Sequence, residues 1–146
     1  MSSSKSKARE CAVQALYQWQ VSGDSLSRIH DYFIEQEFLK GAQKSYFYDL
    51  FHGIPAELDV IDKTLAEFVD RPVEKLDPVE RAILRLGTYE LIKRLDTPYR
   101  VIINEGVELA KAFGAEGSHK YVNGILDKVS QKTRAAEIKA RQQKRK

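Results

Sequence analysis

The sequence predicts an all-α protein, a single domain made of two packed helical bundles with about seven helices. Apolar residues recur at helical spacing along most of the chain, and no segment alternates with period two for long. Isolated glycines and prolines divide the chain into segments of ordinary helix length. A length of 146 residues fits one domain, and a hydrophobic content of 42% is enough for a packed core.

The first half of the chain, residues 5–70, is expected to form an N-terminal bundle. Three helices are expected here, over residues 5–20, 25–39 and about 43–68. Gly23 should end the first helix and Gly41 the second. Pro55 lies inside the third pattern, after Gly53, so a kink or break is expected near residues 51–55.

The second half, residues 71–130, is expected to form a C-terminal bundle of three or four helices. Asp77 should cap the first long helix, because Pro78 follows it at a position that needs no N–H. Thr97 is the expected cap of the next helix. Gly114 is expected to end that helix in the left-handed conformation, and Ser118 to cap the last one.

Charge is concentrated at the two ends of the chain. Residues 131–146 carry seven Lys and Arg against one Glu, and residues 1–10 carry a net +2. Since the whole chain is +3, the body between these ends is mildly acidic. Basic ends indicate an anionic partner or serve solubility only, and the charge alone favours neither. Residues 131–146 lack an apolar stripe, so we expect a frayed helix or a flexible tail that is dispensable for folding.

The sequence carries no pattern typical of catalysis, of cofactor binding or of a metal site. No glycine-rich phosphate loop follows a strand, and the histidines His30, His52 and His119 are scattered. The single cysteine, Cys11, allows no intrachain disulfide and fits a reducing cytoplasm. There is no signal-peptide pattern and no apolar run of membrane-spanning length. We therefore expect no enzyme, no cofactor and no metal site.

Two polar residues interrupt the apolar run of the helix that follows Pro98. Asn104 and Glu105 either form a site or include a partly buried hydrogen-bonding group that ties two helices together, and the pattern favours the second interpretation.

The first helix offers a candidate RNA-binding face. Lys5, Arg9, Val13 and Tyr17 recur four residues apart, and Tyr17 lies about 180° from an apolar arc centred near Ala8 on a helical wheel. An exposed aromatic ring near basic side chains is suited to stacking on a base of single-stranded RNA. The alternative is a surface tyrosine that packs on a neighbour.

The start of the last helix is a second candidate. Ser118, Lys120 and Tyr121 lie there, and free N–H groups at residues 118–121 would favour a phosphate. The alternative is that Tyr121 is a residue at the margin of the core.

Three blocks of the chain closely resemble the NusB family of bacterial transcription antitermination factors. The longest is INE-x-VELAKAFG-x-E-x-SHKYVNGILDK, which begins at Ile103. The other two are ARECAVQALYQWQ from Ala8 and DPVERAILRLGTYEL from Asp77. Together they cover about half the chain, in the order found in the family.

The resemblance implies a double helical bundle and a function by binding. It implies a partner, the small-subunit ribosomal protein NusE, and binding of boxA-type single-stranded RNA. The pair would load an antitermination complex on RNA polymerase at ribosomal RNA operons. Alternatives are an accessory module of rRNA modification, since NusB-like domains occur fused to rRNA methyltransferases, and a self-associating structural module.

The residue patterns, together with the resemblance, give candidate residues for these surfaces. The expected RNA-binding residues are Lys5, Lys7, Arg9, Tyr17, Ser118, Lys120 and Tyr121. The expected partner-binding residues are Glu80, Arg81 and Leu84, on the exposed side of the helix from Asp77. The chain departs from many family members at Gly117, where they carry an acid, and at Lys5 and Lys7, where arginines are frequent.

Overall fold

The computed structural model describes residues 3–144, and the part it describes is entirely helical. It contains eight α-helices and one short 3₁₀-helix: α1 Ser4–Ser22, α2 Leu26–Glu35, α3 Lys44–Ala56, α4 Leu58–Ala66, the 3₁₀-helix Val73–Lys75, α5 Pro78–Lys93, α6 Tyr99–Phe113, α7 Ser118–Thr133 and α8 Ala135–Lys144. No strand occurs within residues 3–144. The prediction of an all-α fold is confirmed.

Two helices, α1 and α5, lie at the centre of the molecule. Helix α1 packs on α2, α3 and α5, while α5 packs on α1, α3, α4, α6 and α7. The buried apolar side chains of both halves of the chain form one continuous cluster. Because α1 and α5 are covered on several sides, each buries a wider arc than a surface helix does.

Several helix boundaries follow from local signals. The Asp77 carboxylate accepts the N–H groups of Val79 and Glu80 at 3.0 and 3.1 Å, so its predicted capping role is confirmed. Gly23 ends α1 with a φ of 73°, which is the left-handed conformation that glycine adopts without strain. Helix α2 ends at Glu35, four residues before the predicted end, since the chain turns with a positive φ at Glu37.

The predicted long third helix is interrupted, as Pro55 indicated. The break lies at Glu57, two residues after the proline, and separates α3 from α4. Gly53, one turn earlier, has a packing role. A Cβ at this position would lie 2.7 Å from Cζ of Tyr89, a ring that α5 places against α3.

The turns of the C-terminal bundle differ from prediction. Pro98, and not Thr97, occupies the N-cap of α6, while Thr97 is buried. Gly114 is extended, with φ −88° and ψ 171°, so the left-handed prediction is wrong there. The left-handed residue is Gly117, which is the N-cap of α7, so Ser118 is the first helical residue and not the cap.

The basic tail is ordered on the body as far as Lys144. Helix α7 continues to Thr133, and α8 follows after Arg134, whose side chain is buried. Its guanidinium donates to the carbonyls of Glu90, Leu91 and Arg94, close to the C-terminus of α5. The sequence predicts a frayed helix or a flexible tail, whereas in the structure the tail is helical and supplies hydrogen bonds and positive charge to a helix C-terminus. Residues 145–146 lie outside the described part of the chain.

Candidate nucleic-acid interface

Tyr17 lies on the outer face of α1. Its side chain is 41% exposed, and Gln14 and Val21 beside it are also exposed. The prediction that this ring faces away from the core is confirmed. Its contact with RNA stays a prediction.

The basic row predicted to lead up to Tyr17 is interrupted. Arg9 and Val13 are each only 2% exposed. The predicted buried arc of α1 was centred near Ala8, but the observed arc extends to Arg9 and Val13 because α3 and α5 both pack on the helix. Arg9 as a ligand for RNA phosphate is therefore a wrong prediction, since its side chain is inside the fold.

Arg9 instead forms a buried ion pair with α5. Its Nε donates to Oε1 of Glu90 at 2.8 Å and its Nη2 to Oε2 at 2.9 Å. Burial alone would lower the pKa of Arg9, but the hydrogen bond and charge of Glu90 outweigh it and hold the pKa above its usual value. The pair joins the two central helices.

Tyr46 and Glu105 extend this network. The Tyr46 hydroxyl donates to Glu90 at 2.5 Å, and burial, followed by the charge of Glu90, raises the pKa of Tyr46 to about 12. Glu105 accepts a hydrogen bond from the Ser6 hydroxyl at 2.6 Å and lies 3.3 Å from Nη1 of Arg9. Glu105 is thus the partly buried residue that ties α6 to α1, which confirms that interpretation.

Lys5 and Lys7 are partly exposed at the start of α1. The ammonium of Lys5 lies 5.3 Å from the centroid of the Tyr46 ring. The side chain of Lys7 is 45% exposed, and its ammonium is 3.8 Å from Glu10. Both remain accessible to an anion.

The start of α7 is less open to a phosphate than predicted. Ser118 is 4% exposed, and its hydroxyl donates to Oε2 of Glu80 at 2.8 Å. The N–H groups of Ser118 and Lys120 already donate to the carbonyls of Ala115 and Gly117. Ser118 is therefore a packing residue in this structure, while the Lys120 side chain is exposed.

Tyr121 is half-buried and packs against the core. Its hydroxyl donates to Asp70 at 3.1 Å. Burial, and then this hydrogen bond, raises the pKa of Tyr121. These contacts match the alternative interpretation of a residue at the core margin.

The first turn of α5 joins the Tyr17 end of α1 to the Ser118 turn. The Gln20 amide donates to the carbonyl of Pro78 at 2.9 Å, and Glu80 holds Ser118 on the same turn. Lys5 lies twelve residues before Tyr17, about 18 Å along the helix axis. Through these contacts the Tyr17 end of α1 lies near the start of α7, where Lys120 is exposed.

The predicted partner face on α5 needs correction. Leu84 is fully buried, because α5 is surrounded by other helices along most of its length. Arg81 is half-exposed and donates to the carbonyl of Glu74 at 2.9 Å, but its Nε is buried without a hydrogen-bond partner. Burial, and then the nearby charge of Arg85, lowers the pKa of Arg81. Arg81 and the half-buried Glu80 are what remains of that face.

One polar contact has no signal in the sequence, because it joins two histidines, His30 and His52, that are 22 residues apart in the chain. Nδ1 of His30 and Nε2 of His52 lie 2.9 Å apart, between α2 and α3. Within residues 3–144, no group of three or more His, Cys, Asp or Glu side chains could hold a metal ion. The helices of that part of the chain are also too short or too polar to cross a membrane.

The fold and surface define an all-helical protein that has two bundles around a buried ion-pair network and an exposed tyrosine on the outer side of α1. The model of the NusB family matches residues 6–131. The chain is 51% identical to the transcription antitermination protein NusB of Nitrosococcus oceani, across 97% of this chain and 95% of that protein. It is 50% identical to the protein of the same name from Alcanivorax borkumensis, across 95% and 93%. The chain belongs to the NusB family.

Solved structures agree with this assignment. A NusB structure from T. maritima superposes with a TM-score of 0.75 at 32% identity and covers 90% of this chain and 93% of its own. A chain in a crystal structure of the antitermination factors NusB and NusE with double-stranded RNA gives a TM-score of 0.78 at 26% identity, with coverage of 90% and 98%.

Proposed function

We propose that this chain is an RNA-binding transcription antitermination factor that acts by binding and not by catalysis. It pairs with NusE, the small-subunit ribosomal protein, and the pair binds boxA-type RNA and helps to load an antitermination complex on RNA polymerase at ribosomal RNA operons. Such a role belongs in the cytoplasm. Family membership supports the proposal, as does the similarity to a chain from a complex of NusB, NusE and RNA.

The exposed ring of Tyr17 is the observation that carries the RNA-binding part. The Tyr17 side chain is 41% exposed, so part of its ring is open to a ligand. Stacking on an unpaired base would use its apolar face, while the partly exposed Lys7 and the exposed Lys120 contact phosphates.

A titration of labelled boxA RNA with Tyr17→Ala tests this part. We expect affinity to fall by roughly 1–3 kcal/mol, the usual contribution of one stacked base. Tyr17→Phe keeps the stacking face and should have a much smaller effect. The matched control is Tyr32→Ala on α2, because Tyr32 is 45% exposed and lies in the N-terminal bundle. Equal affinity of Tyr17→Ala and wild type would contradict the assignment of the RNA to α1.

The partner surface is proposed to include the half-exposed residues Arg81 and Glu80 on the first turns of α5. Arg81→Glu should weaken capture of NusE and hardly change RNA binding by the isolated protein. Because the Nε of Arg81 is buried, the melting curve of the variant must be measured alongside. Undiminished NusE capture by a folded variant would place the partner on another face.

A further inference from the structure

Helix α8 is held on the body in a fixed orientation. Oε1 of Glu137 accepts from Nη1 of Arg134 at 2.5 Å, and its Oε2 accepts from the N–H of Tyr99 at 2.9 Å. Glu137 thereby satisfies the first N–H of α6 while Arg134 caps α5. A tail that served solubility alone would need neither contact.

The docking creates a basic groove between α8 and the start of α6, which we call the α6/α8 groove. It has a volume of about 270 Å³. Its walls include Pro98, Tyr99 and Arg100 from the α6 side and Ala140, Arg141 and Lys144 from α8.

The cations of the groove form no ion pair within residues 3–144. Arg100, Arg141 and Lys144 are exposed, and none of them has a carboxylate within 4.0 Å among residues 3–144. Glu137, the carboxylate that lines the groove, is already bound twice. Asp127 lines a neighbouring depression that also includes Tyr99 and Arg100, and it accepts a hydrogen bond from Gln131. Three like charges on one groove repel each other, and an anion that binds there would relieve the repulsion.

We propose that the α6/α8 groove binds the phosphodiester backbone of RNA, as a second contact separate from the exposed or partly exposed residues Lys7, Tyr17 and Lys120, which we call the Tyr17 surface. The proposal rests on the proposed function, and it extends the RNA path. A guanidinium fork and an ammonium suit phosphate oxygens. The half-buried ring of Tyr99 adds an apolar wall, which favours a nucleic acid over a free phosphate ion. The family model ends at residue 131, so the α8 wall lies beyond it.

The distance between the two surfaces predicts a length dependence. Helix α7 separates Ser118 from the start of α8 by 16 residues, about 24 Å along its axis. That distance corresponds to roughly seven stacked nucleotides at about 3.4 Å each. A short RNA that covers the Tyr17 surface therefore ends before the groove, whereas a longer RNA reaches both.

The test compares two single-stranded RNAs that share the boxA element, one of about 8 nucleotides and one of about 24, lengths chosen from the same spacing. The groove variant is Arg141→Ala/Lys144→Ala. The control variant, Lys40→Ala/Lys139→Ala, removes the same charge. Lys139 is exposed on α8 but points away from the groove on a helical wheel, and Lys40 lies in the N-terminal half.

The groove variant should bind the long RNA about tenfold more weakly. The slope of the logarithm of its binding constant against the logarithm of salt concentration should become shallower by about 1.4, because two phosphate contacts are lost at roughly 0.7 each. Its affinity for the short RNA and its melting temperature should match those of the wild type. Unchanged binding of the long RNA, or an equal loss in the control variant, overturns the groove as a site. Failure of the wild type to bind either RNA would instead contradict the proposed function.

Discussion

The buried pair of Arg9 and Glu90 gives the sharpest prediction, because the sequence and the structure assign Arg9 opposite roles. On the helical wheel Arg9 belongs to an exposed basic row. In the structure its side chain is 3% exposed, and the Glu90 side chain is fully buried. Replacing Arg9 by Met keeps most of the side-chain volume and removes the charge, so the variant separates the two roles.

The magnitude follows from the partner that is left behind. Arg9→Met removes two short hydrogen bonds, of 2.8 and 2.9 Å, from a carboxylate that has no access to water. Tyr46 remains as a donor to Glu90 and compensates in part. Breaking a buried pair at one side costs about 3–5 kcal/mol of unfolding free energy. The double variant Arg9→Met/Glu90→Gln leaves no charge at position 90 and should recover part of that loss, while the partly exposed Glu105 loses its contact with Arg9 in both variants.

Urea unfolding followed by circular dichroism measures these free energies, and an RNA titration with each folded variant measures affinity. Lys7→Met is the control on the same helix, since Lys7 is half-exposed and its contact with Glu10 is long, at 3.8 Å. We expect the control to lose no more than about 0.5 kcal/mol of stability. If Arg9→Met kept wild-type stability and lost RNA affinity with a flatter salt dependence, the burial of Arg9 and the reasoning from it would be refuted.

Four further outcomes are expected. Arg134→Met, or truncation after residue 130, should lower the urea midpoint, because carbonyls at the end of α5 lose their hydrogen-bond donor. Each unsatisfied carbonyl should cost about 1–3 kcal/mol of unfolding free energy. An unchanged midpoint would mean that α8 is not docked. Gly53→Ala should cost about 1–3 kcal/mol in the same assay, since its Cβ would meet the Tyr89 ring, and wild-type stability would argue against that close approach. Burial, and then the nearby His30, lowers the pKa of His52 in the folded protein, so stability should fall as the pH drops below about 6.5. His52→Gln should lose that part of the pH dependence, and a stability profile identical to that of the wild type would contradict a role for His52. Gly117→Asp should weaken RNA binding more than the equally strained Gly117→Asn, because only Asp adds a negative charge near Lys120; equal affinities would place the RNA away from this turn.

Local signals in the sequence predicted the elements well. A helix start at Asp77, an end at Gly23 and a break after Pro55 depend on residues within one turn of each other. Such signals can be read without knowing what packs nearby. The same reasoning failed at Gly114, where an extended glycine is needed because a Cβ would lie 2.8 Å from the Ala110 carbonyl and from Oγ of Ser118. That requirement comes from the packing of the following turn and not from the backbone angle.

The candidate site was predicted less well, and the cause is the central position of α1 and α5. A helical wheel assigns one buried arc to each helix, which is correct for a helix with one neighbouring layer. Helix α5 has five neighbouring helices, so it buries more than one face. Leu84 is therefore buried, although the wheel placed it on the opposite face from the buried residues Ile83 and Leu86. On α1 the same effect removes Arg9 from the surface but leaves Tyr17 exposed. Partners that are distant in sequence, such as Glu90, determine which arc of a helix is buried. The periodicity of a single sequence carries no information about such partners.

Only the charged side chains that are not already paired inside the fold can attract RNA, so net charge alone does not predict RNA binding. At the N-terminal end, Arg9 is neutralised inside the fold and Lys5 lies against the ring of Tyr46. The basic charge that this end offers to solvent is therefore smaller than the sequence suggests. At the C-terminal end, Arg134 caps α5 and Glu137 caps α6, so the one acid of the tail no longer offsets the cations further along α8. Attraction for a long RNA should consequently depend more on α8 than on the start of α1, and the difference between the two ends is larger than their net charges in the sequence, +6 and +2, indicate.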